Sequence, residues 1–597
     1  MPPLNATTTD CGQGKGQDMS HKIMPPTQQP VWKQTSLSFW LWAAMLLHFA
    51  FSLALGLSRH WSYMSSIMDL GVFDQILWNT LHGDFFKNTI TFPYVTNYLG
   101  CHFNLILLLF APFYAIIPSP AWFVIAQAAS LSLTAWPLFL IAGQVFKCEK
   151  TALLWALIYL VNPFQLGAGS WFHPVSLAVP FLAMALLAVV IKNERLLYAS
   201  CLLVLACQEH FGPTVVGLGA LWWLRNRSWR PALTLIAFGS LHLVLVLGVA
   251  MPFFSPTSAP LMLSEQQGAL NRYNWLGTSL FGVLHTLATQ PLWVWDKLLS
   301  MGGVFYWILL VAPFWFLFPL LGIEFLLAGL GDLAANTLSA GLQQRNIFSY
   351  HSAGLIPALS VAALYGVARL SGWQKKFSAL ELTSLILIPS LAAGYAVFPA
   401  PLPGAANSWG QAAFPLRPEP AVQAINQLVG NDASLSVQAN VGAHFSQRQK
   451  IFTYPLNVGE TDFVILRLAS PTTNLFRLAS TSNINQASDP LTKNKFLPSP
   501  ANWLEVHLQL DRTQYLASIE CLLSENTYGI ALWNDPWLVL SRQTANRQQE
   551  MAVKQKVKQL QEGWQISAEE YQESLKKCQG SGYQDTPLLG PITPIRE

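Results

Sequence analysis

Residues 37–57 of this 597-residue chain read LSFWLWAAMLLHFAFSLALGL, a stretch without Asp, Glu, Lys or Arg that is long enough to cross a bilayer as one helix. A polar segment containing Asp69-Leu-Gly-Val-Phe-Asp-Gln75 follows it. Apolar blocks of spanning length recur along the chain, which is 52% hydrophobic and contains 23 Trp. These features predict a polytopic α-helical membrane protein.

Composition and motifs argue against several other classes. The net charge of +4 is small and dispersed, so nucleic acid is not an expected partner. No glycine fingerprint for a nucleotide cofactor occurs. The seven Cys form no CxxC and no zinc spacing, and a Cys521–Cys578 bridge stays open.

Basic connections predict the orientation. The loops 147–150, 192–195, 225–230 and 369–376 each hold at least two Lys or Arg, which places them in the cytoplasm by the positive-inside rule. The path that follows has a cytoplasmic N-terminus and about eleven transmembrane helices, near 37–57, 120–146, 151–168, 174–191, 196–208, 211–224, 231–251, 300–320, 323–341, 350–368 and 378–398.

Two parts of this path rest on weaker signals. The block 196–224 is interpreted as a short hairpin broken near Gly212-Pro213, because a single crossing would move its arginines outside. The turn near 321 has no basic residue, so its side of the membrane is predicted only from the alternation of the neighbouring spans. The apolar piece 103–118 is short and flanked by prolines, which predicts an interfacial helix on the outer leaflet rather than a span.

The chain then divides into regions by character. Alternation of strand and helix signals after 400 predicts a small extracytoplasmic α/β domain, with a hairpin turning at Asn534-Asp-Pro536. An amphipathic helix is expected over 544–578. The predicted regions are a disordered cytoplasmic tail 1–36, a transmembrane domain 37–399 with outer loops 58–119 and 252–299, the α/β domain 400–545, and a helical segment with a disordered tail 546–597.

In this topology the unusual ionisable residues converge on the outer face. Retained charges at membrane depth usually mark a substrate or ion pathway. Simpler interpretations stay open, since an Asp can cap a helix, His173 can start one, and His102 and His351 can be packing residues. The converging residues are Arg59, Asp69, Asp74, His102, His173, Glu209, His210, Arg272, His285, Arg345 and His351.

Several motifs resemble a known family. They are Met68-Asp-Leu-Gly-Val-Phe-Asp-Gln-Ile-Leu-Trp-Asn79, Asn97-Tyr-Leu-Gly-Cys-His-Phe103, Trp171-Phe-His-Pro174, Gln208-Glu-His210 and Ser349-Tyr-His-Ser-Ala-Gly-Leu-Ile-Pro357. Over roughly 40–545 the chain resembles the bacterial membrane proteins called "domain of unknown function 2079". That family tends to have Lys-Glu-Asp where this chain has Gln208-Glu209-His210. Its layout is similar to that of GT-C glycosyltransferases.

The resemblance implies an activity and roles for residues. A GT-C-like enzyme moves a sugar from a polyprenyl-phosphate donor to an extracytoplasmic glycan, lipid or protein, and needs a base for the acceptor proton. Asp69 is the candidate base, with Asp74 and Glu209 as further catalytic candidates. A divalent cation is left open, with Asp74, His102, His173 and Glu209 as possible ligands. Candidate substrate-binding residues are Arg59, His102, His173, His210, Arg272, Arg345 and His351.

Two other functions stay open. A transporter or flippase would carry charges in the middle of its spans and repeated halves, and the sequence shows neither clearly. A non-catalytic envelope scaffold would use the C-terminal domain, with Asp69 as a helix cap. The family resemblance places the protein in the bacterial inner membrane.

Overall fold

The computed structural model describes residues 36–581, except 93, 170–171, 259, 261–271, 274, 278, 348, 375, 397–414, 416, 470–507, 509 and 526. The disordered tails that the sequence predicts, 1–36 and the stretch after 579, lie almost wholly outside the described residues. Helices and one short antiparallel strand pair, Lys87–Asn88 with Thr96–Asn97, make up the first part of the chain up to Ala396. A larger sheet with flanking helices occupies the part after residue 417.

Four described helices are long and apolar enough to cross a membrane. At about 1.5 Å per residue, three of them exceed the roughly 30 Å of a bilayer core, and the 19-residue helix Leu355–Trp373 about matches it. The bent pair Pro291–Ser300 and Gly303–Phe314, with an angle of 68°, makes a fifth if it is one span. Three apolar helices are shorter, and one of them coincides with the predicted interfacial piece 103–118. The four long helices are Leu37–Trp61, Ala121–Phe146, Trp229–Phe254 and Leu355–Trp373, and the shorter ones are Leu105–Ile116, Val175–Ile191 and Ala379–Tyr395.

Shorter helices complete this part. Glu194–Cys207 and Gly212–Asn226 form the predicted hairpin, joined by the 3₁₀ turn Glu209–Phe211. The segment around Asp69, interpreted from the sequence as a polar loop, is a π-helical turn continuing into an α-helix. The remaining elements are Ile67–Gly71, Val72–Leu81, Glu149–Leu160, Pro163–Ala168, Leu280–Thr289, Leu317–Leu321, Ile323–Gly329 and Leu330–Leu338.

Basic residues gather at one end of the helices. The helices Ala135–Phe146, Val175–Ile191 and Gly212–Asn226 each end at a basic residue with positive φ, namely Lys147, Lys192 and Arg227. Glu324 accepts a hydrogen bond from Arg369 at 3.1 Å and lies 3.9 Å from Arg225. The turn near 321, whose side of the membrane is predicted only from the alternation of the spans, therefore lies at the same end as two of the predicted cytoplasmic loops.

The C-terminal part contains a five-stranded mixed sheet. Its strands, in order across the sheet, are Ile451–Thr453, Leu435–Val437, Phe463–Arg467, Trp537–Ser541 and Gly529–Asn534. The first three strands run parallel, and the last two form an antiparallel hairpin that turns after Asn534, as the sequence predicts. The single helix predicted over 544–578 is instead two. The flanking helices are Pro420–Val429, Arg512–Ser524, Glu550–Gly563 and Ala568–Ser581.

The sheet packs directly against the first loop. The Ile67 amide donates to the Ala439 carbonyl at 2.9 Å, immediately before the turn that carries Asp69. The Gln75 side chain donates to the Arg448 carbonyl at 3.0 Å, and Thr89 donates to the Ile451 carbonyl at 2.6 Å. These buried hydrogen bonds fix the position of the Asp69 turn relative to the sheet.

Gly442 packs closely against Ile67 in the same contact between the first loop and the C-terminal part. A Cβ at Gly442 would lie 2.5 Å from Ile67 Cδ1 and 2.8 Å from Ile67 Cβ. We expect Gly442→Val to displace Ile67 and to lower the free energy of unfolding by about 1–3 kcal/mol, the usual cost of overpacking. Thermal unfolding of the purified protein in lipid nanodiscs measures this loss. Gly563→Val, at a position with open space around it, should leave the melting temperature unchanged.

Candidate functional site

Asp69 is half-buried in the turn that follows the first long helix and faces the helix Ala121–Phe146. It shares a cavity of about 30 Å³ with Arg59, Ser65 and Gln127. This volume is enough for one or two water molecules. Burial raises the pKa of Asp69 to about 6, and the nearby Arg59 guanidinium opposes that rise. A carboxyl group with this pKa is ionised at neutral pH and still basic enough to accept a proton.

Glu209 is the centre of a second polar group. His102 Nδ1 lies 2.9 Å from Glu209 Oε1, and the Phe103 amide donates to Oε2 at 2.9 Å. Burial would raise the pKa of Glu209, but the His102 imidazole, together with His210 and the Phe103 amide, lowers it to about 2. Glu209 is therefore an ionised buried carboxylate that ties the first loop to the hairpin turn.

His210, the residue after Glu209, pairs with an acid on a different helix. His210 Nε2 lies 2.5 Å from Oδ1 of Asp332, which is in the first turn of the helix Leu330–Leu338. Glu209 thus pairs with a histidine, His102, and the adjacent His210 pairs with an acid, Asp332. The turn between the two hairpin helices is linked in this way to two other parts of the chain.

Aromatic rings pack against one another beside the Glu209 group. The His173 ring stacks on Tyr350 with centroids 3.8 Å apart, and Tyr350 stacks on His351 at 4.2 Å. The His102 and His173 rings lie edge to face at 6.5 Å. Burial, and then the charge on Asp69, raise the pKa of Tyr350, so this tyrosine lies within electrostatic reach of the first acid.

The two stacked histidines differ from the paired ones. Burial is the main cause that lowers the pKa of His173 and of His351 well below the usual value, and Arg272 adds to it in both cases. Both imidazoles are therefore neutral at pH 7. Ser349 lies 2.8 Å from His351 Nδ1, whereas the buried His173 Nδ1 has no hydrogen-bond partner among the described residues.

Three helices begin at this cluster. Val175–Ile191 follows His173, Gly212–Asn226 follows Glu209–Phe211, and Leu355–Trp373 follows Tyr350–Ser352. Each helix N-terminus carries about half a positive charge from its backbone dipoles, which favours anions. The other ends of these helices lie near Lys192, Arg227 and Arg369, so the cluster and the basic loops are at opposite ends.

The structure does not bring two predicted site residues to the cluster. Arg345 donates to the Ser339 carbonyl, within its own loop. Asp74 accepts hydrogen bonds from Tyr114 at 2.5 Å and from Ser446 at 2.6 Å. Burial raises the pKa of Asp74 to about 6, although these hydrogen bonds lower it. Asp74 thus joins the first loop to the sheet, and we leave it out of the catalytic set.

This placement gives a prediction for Asp74. An asparagine cannot accept from both hydroxyl groups, so Asp74→Asn should lower the free energy of unfolding by about 1–3 kcal/mol. The same variant should turn over substrate within a few-fold of the wild-type rate. Thermal unfolding and turnover measured on one preparation test both statements. A large loss of turnover at an unchanged melting temperature would instead support a catalytic role for Asp74.

The family comparison covers all of these elements. Residues 59–489 match DUF2079, which is described as a predicted membrane protein. This chain belongs to the DUF2079 family. The family resemblance stated from the motifs is therefore confirmed.

Other comparisons add little to the family. ArnT from Cupriavidus metallidurans in the apo state aligns with this DUF2079 protein at a TM-score of 0.36 and 11% identity, over 85% of this chain and 98% of ArnT. A TM-score this low supports no conclusion about fold or activity. No curated protein matches the chain.

Sequence reasoning missed several residues of the cluster in this DUF2079 protein. Asp332 was not singled out, although an acid in the middle of the apolar stretch 323–341, away from Glu324 at its start, is itself a signal of a functional site. Tyr350 and Gln344 carry no comparable signal, because they enter only through ring stacking and hydrogen bonds to His351. Within the described residues, no three His, Cys, Asp or Glu side chains are grouped to hold a metal ion.

Proposed function

We propose that this DUF2079 protein is a GT-C-like glycosyltransferase that moves a sugar from a polyprenyl-phosphate donor to an extracytoplasmic acceptor. The observation that carries the proposal is the meeting of two kinds of group at one end of the helices. One is a half-buried carboxylate, Asp69, whose pKa is raised to about 6 by desolvation. The other is a histidine-rich cluster at three helix N-termini, suited to an anion such as a lipid phosphate.

Orientation in the membrane is part of the proposal. We place the basic ends, with Lys192, Arg227 and Arg369, in the bacterial cytoplasm and the histidine cluster at the outer face. Eleven spans satisfy this orientation if seven further helical segments cross together with the four long helices. These segments are 149–168, 175–191, 194–207, 212–226, 303–321, 323–338 and 379–396. The sheet then lies outside the cell, because it packs against the same loop that carries Asp69.

The chemistry assigns one task to each group. The acceptor hydroxyl gives its proton to Asp69 as its oxygen bonds to the anomeric carbon, and the bond from that carbon to the phosphate oxygen breaks. The polyprenyl phosphate leaves with the bonding electrons. Arg59 is placed to stabilise charge near Asp69, whereas His102, His173, His210, His351 and Arg272 surround the donor phosphate. The sheet domain would bind the acceptor or cover the site.

A turnover experiment tests the proposal. Purified full-length protein in lipid nanodiscs is incubated with a panel of radiolabelled polyprenyl-phosphate sugars, with and without Mg²⁺ or Mn²⁺, and release or transfer of label is followed by chromatography. We expect saturable binding and turnover of at least one donor. Absence of both with every donor would contradict the catalytic function and favour a transporter or scaffold.

A vesicle assay separates the transporter. Protein reconstituted in sealed vesicles would, as a flippase, move a labelled lipid-linked sugar between leaflets without breaking its glycosidic bond. As a glycosyltransferase, it would break that bond and leave the polyprenyl phosphate in the membrane.

A further inference from the structure

The pair formed by His210 and Asp332 stands apart from the other contacts of the cluster. The 2.5 Å contact uses His210 Nε2, and His210 Nδ1 has no hydrogen-bond partner in the described part of the chain. The Asp332 side chain is only 4% exposed, whereas that of His210 is 20% exposed. The acid is therefore hidden behind the imidazole, and the imidazole is the member that a ligand can reach.

Glycines allow the buried acid to reach this position. A Cβ at Gly354 would overlap Asp332 Oδ2, and a Cβ at Gly331 would overlap the His210 carbonyl. A Cβ at Gly331 would also lie 2.7 Å from Thr214 Oγ1, which accepts a hydrogen bond from the Gly331 amide. Two separate backbone segments thus approach too closely for any side chain, and both approaches bring Asp332 and His210 together.

Asp332 Oδ2 has no hydrogen-bond partner among the described residues. An ionised buried carboxylate needs a cationic partner to offset its desolvation. His210 is the side chain that the described structure places against it, so a protonated His210 is the state that balances the charge. A purely structural helix cap would not need a titratable partner at this depth.

We propose that Asp332 is a positioning residue of the active site: it favours the protonated form of His210 and holds the imidazole with its other N–H toward the donor phosphate. This inference rests on the proposed function and extends it with a residue outside the sequence motifs. His210 then supplies a cation to a cluster in which His173 and His351 are neutral. Burial would lower the pKa of His210, but the Asp332 carboxylate raises it above the usual value.

Other titratable groups also face His210 and enter its pH dependence. Glu209 raises the His210 pKa as well, but it is bonded to His102 and so acts from the other side of the turn. The neighbouring helix Trp229–Leu245 contributes His242. Among the described residues, the titratable and charged groups near the pair include Glu209, His102, His173, His242, Arg272, Tyr273, Tyr306 and His351.

Hydrogen–deuterium exchange at the imidazole C2 position tests the pair without any substrate. Mass spectrometry of this exchange at a series of pH values gives a titration midpoint for each histidine. In Asp332→Asn we expect the His210 midpoint to fall by at least one pH unit, with the His285 midpoint unchanged. An unmoved His210 midpoint would overturn the proposal, whether or not any donor is turned over.

Donor kinetics test the second half of the proposal. The donor KM should rise as the pH passes the His210 midpoint, and in Asp332→Asn this rise should begin at least one unit lower, with kcat much less affected. Asp84→Asn, at a partly exposed acid paired with Lys87, is the matched control and should keep the wild-type profile. If Asp332→Asn does not fold, His210→Gln should remove the same pH dependence of KM. A wild-type pH profile of KM in these variants would overturn the role in donor binding, even with a shifted midpoint.

Discussion

Asp69→Asn is expected to lower turnover by about 10²–10⁴-fold, the usual contribution of a general base, while donor binding stays within a few-fold of wild type. The substitution keeps the volume of the side chain and removes only its basicity. Radiolabelled donor in nanodiscs gives both quantities from one preparation. Turnover close to wild type would show that Asp69 acts as a structural cap.

Two comparisons sharpen the Asp69 result. Asp74→Asn makes the same chemical change five positions later, at an acid bonded to the sheet, and should cost stability rather than turnover. The wild-type rate should also follow pH. Because burial raises the pKa of Asp69 to about 6, the base is protonated below that pH, so kcat/KM should fall toward lower pH with a midpoint near 6. A rate that stays flat between pH 5 and 8 would argue against this base.

Glu209→Ala is expected to have the largest effect on stability. The variant leaves the His102 imidazole, whose side chain is 19% exposed, without its Glu209 partner, and an unsatisfied buried hydrogen-bonding group costs about 1–3 kcal/mol. The variant also leaves the Phe103 amide without its acceptor. Thermal unfolding in nanodiscs measures the loss, and donor binding should weaken with it. Glu562→Ala, at an exposed helix position, is the matched control.

The pH dependence of this effect has a definite sign. The folded pKa of Glu209 is about 2, below its ordinary value of 4.5. The stabilisation by Glu209 is therefore complete above about pH 4.5 and is lost as the pH falls toward 2. The difference in melting temperature between wild type and Glu209→Ala should shrink over that range. An equal difference at pH 7 and pH 3 would contradict an ionised Glu209 carboxylate.

Membrane character and helix positions could be predicted from the sequence because apolar length and basic loops are local signals. The short hairpin around Glu209 is an example, because the Gly212-Pro213 break and the arginines after it can both be read from the sequence. The number of spans is harder, because several apolar helices are too short to cross on length alone. Whether these helices cross the membrane depends on which other helices pack beside them, and the sequence alone does not show that packing.

The candidate site shows the same division. Asp69, His102, His173, Glu209, His210 and His351 could be proposed because ionisable residues are rare near a bilayer. Asp74 shows the limit, since its partners Tyr114 and Ser446 lie far away in the sequence and only the fold brings them to it. The pairing of His210 with Asp332 was missed for the same reason.

The bond from Ile67 to Ala439 has a consequence for the order in which the protein matures. A ribosome releases the membrane helices first and the strand Leu435–Val437 much later, so Asp69 enters the membrane before its support exists. A nascent chain is then a membrane protein whose first loop lacks its packing partner. Under the proposed function, activity would begin only after the part beyond residue 417 has folded onto the first loop.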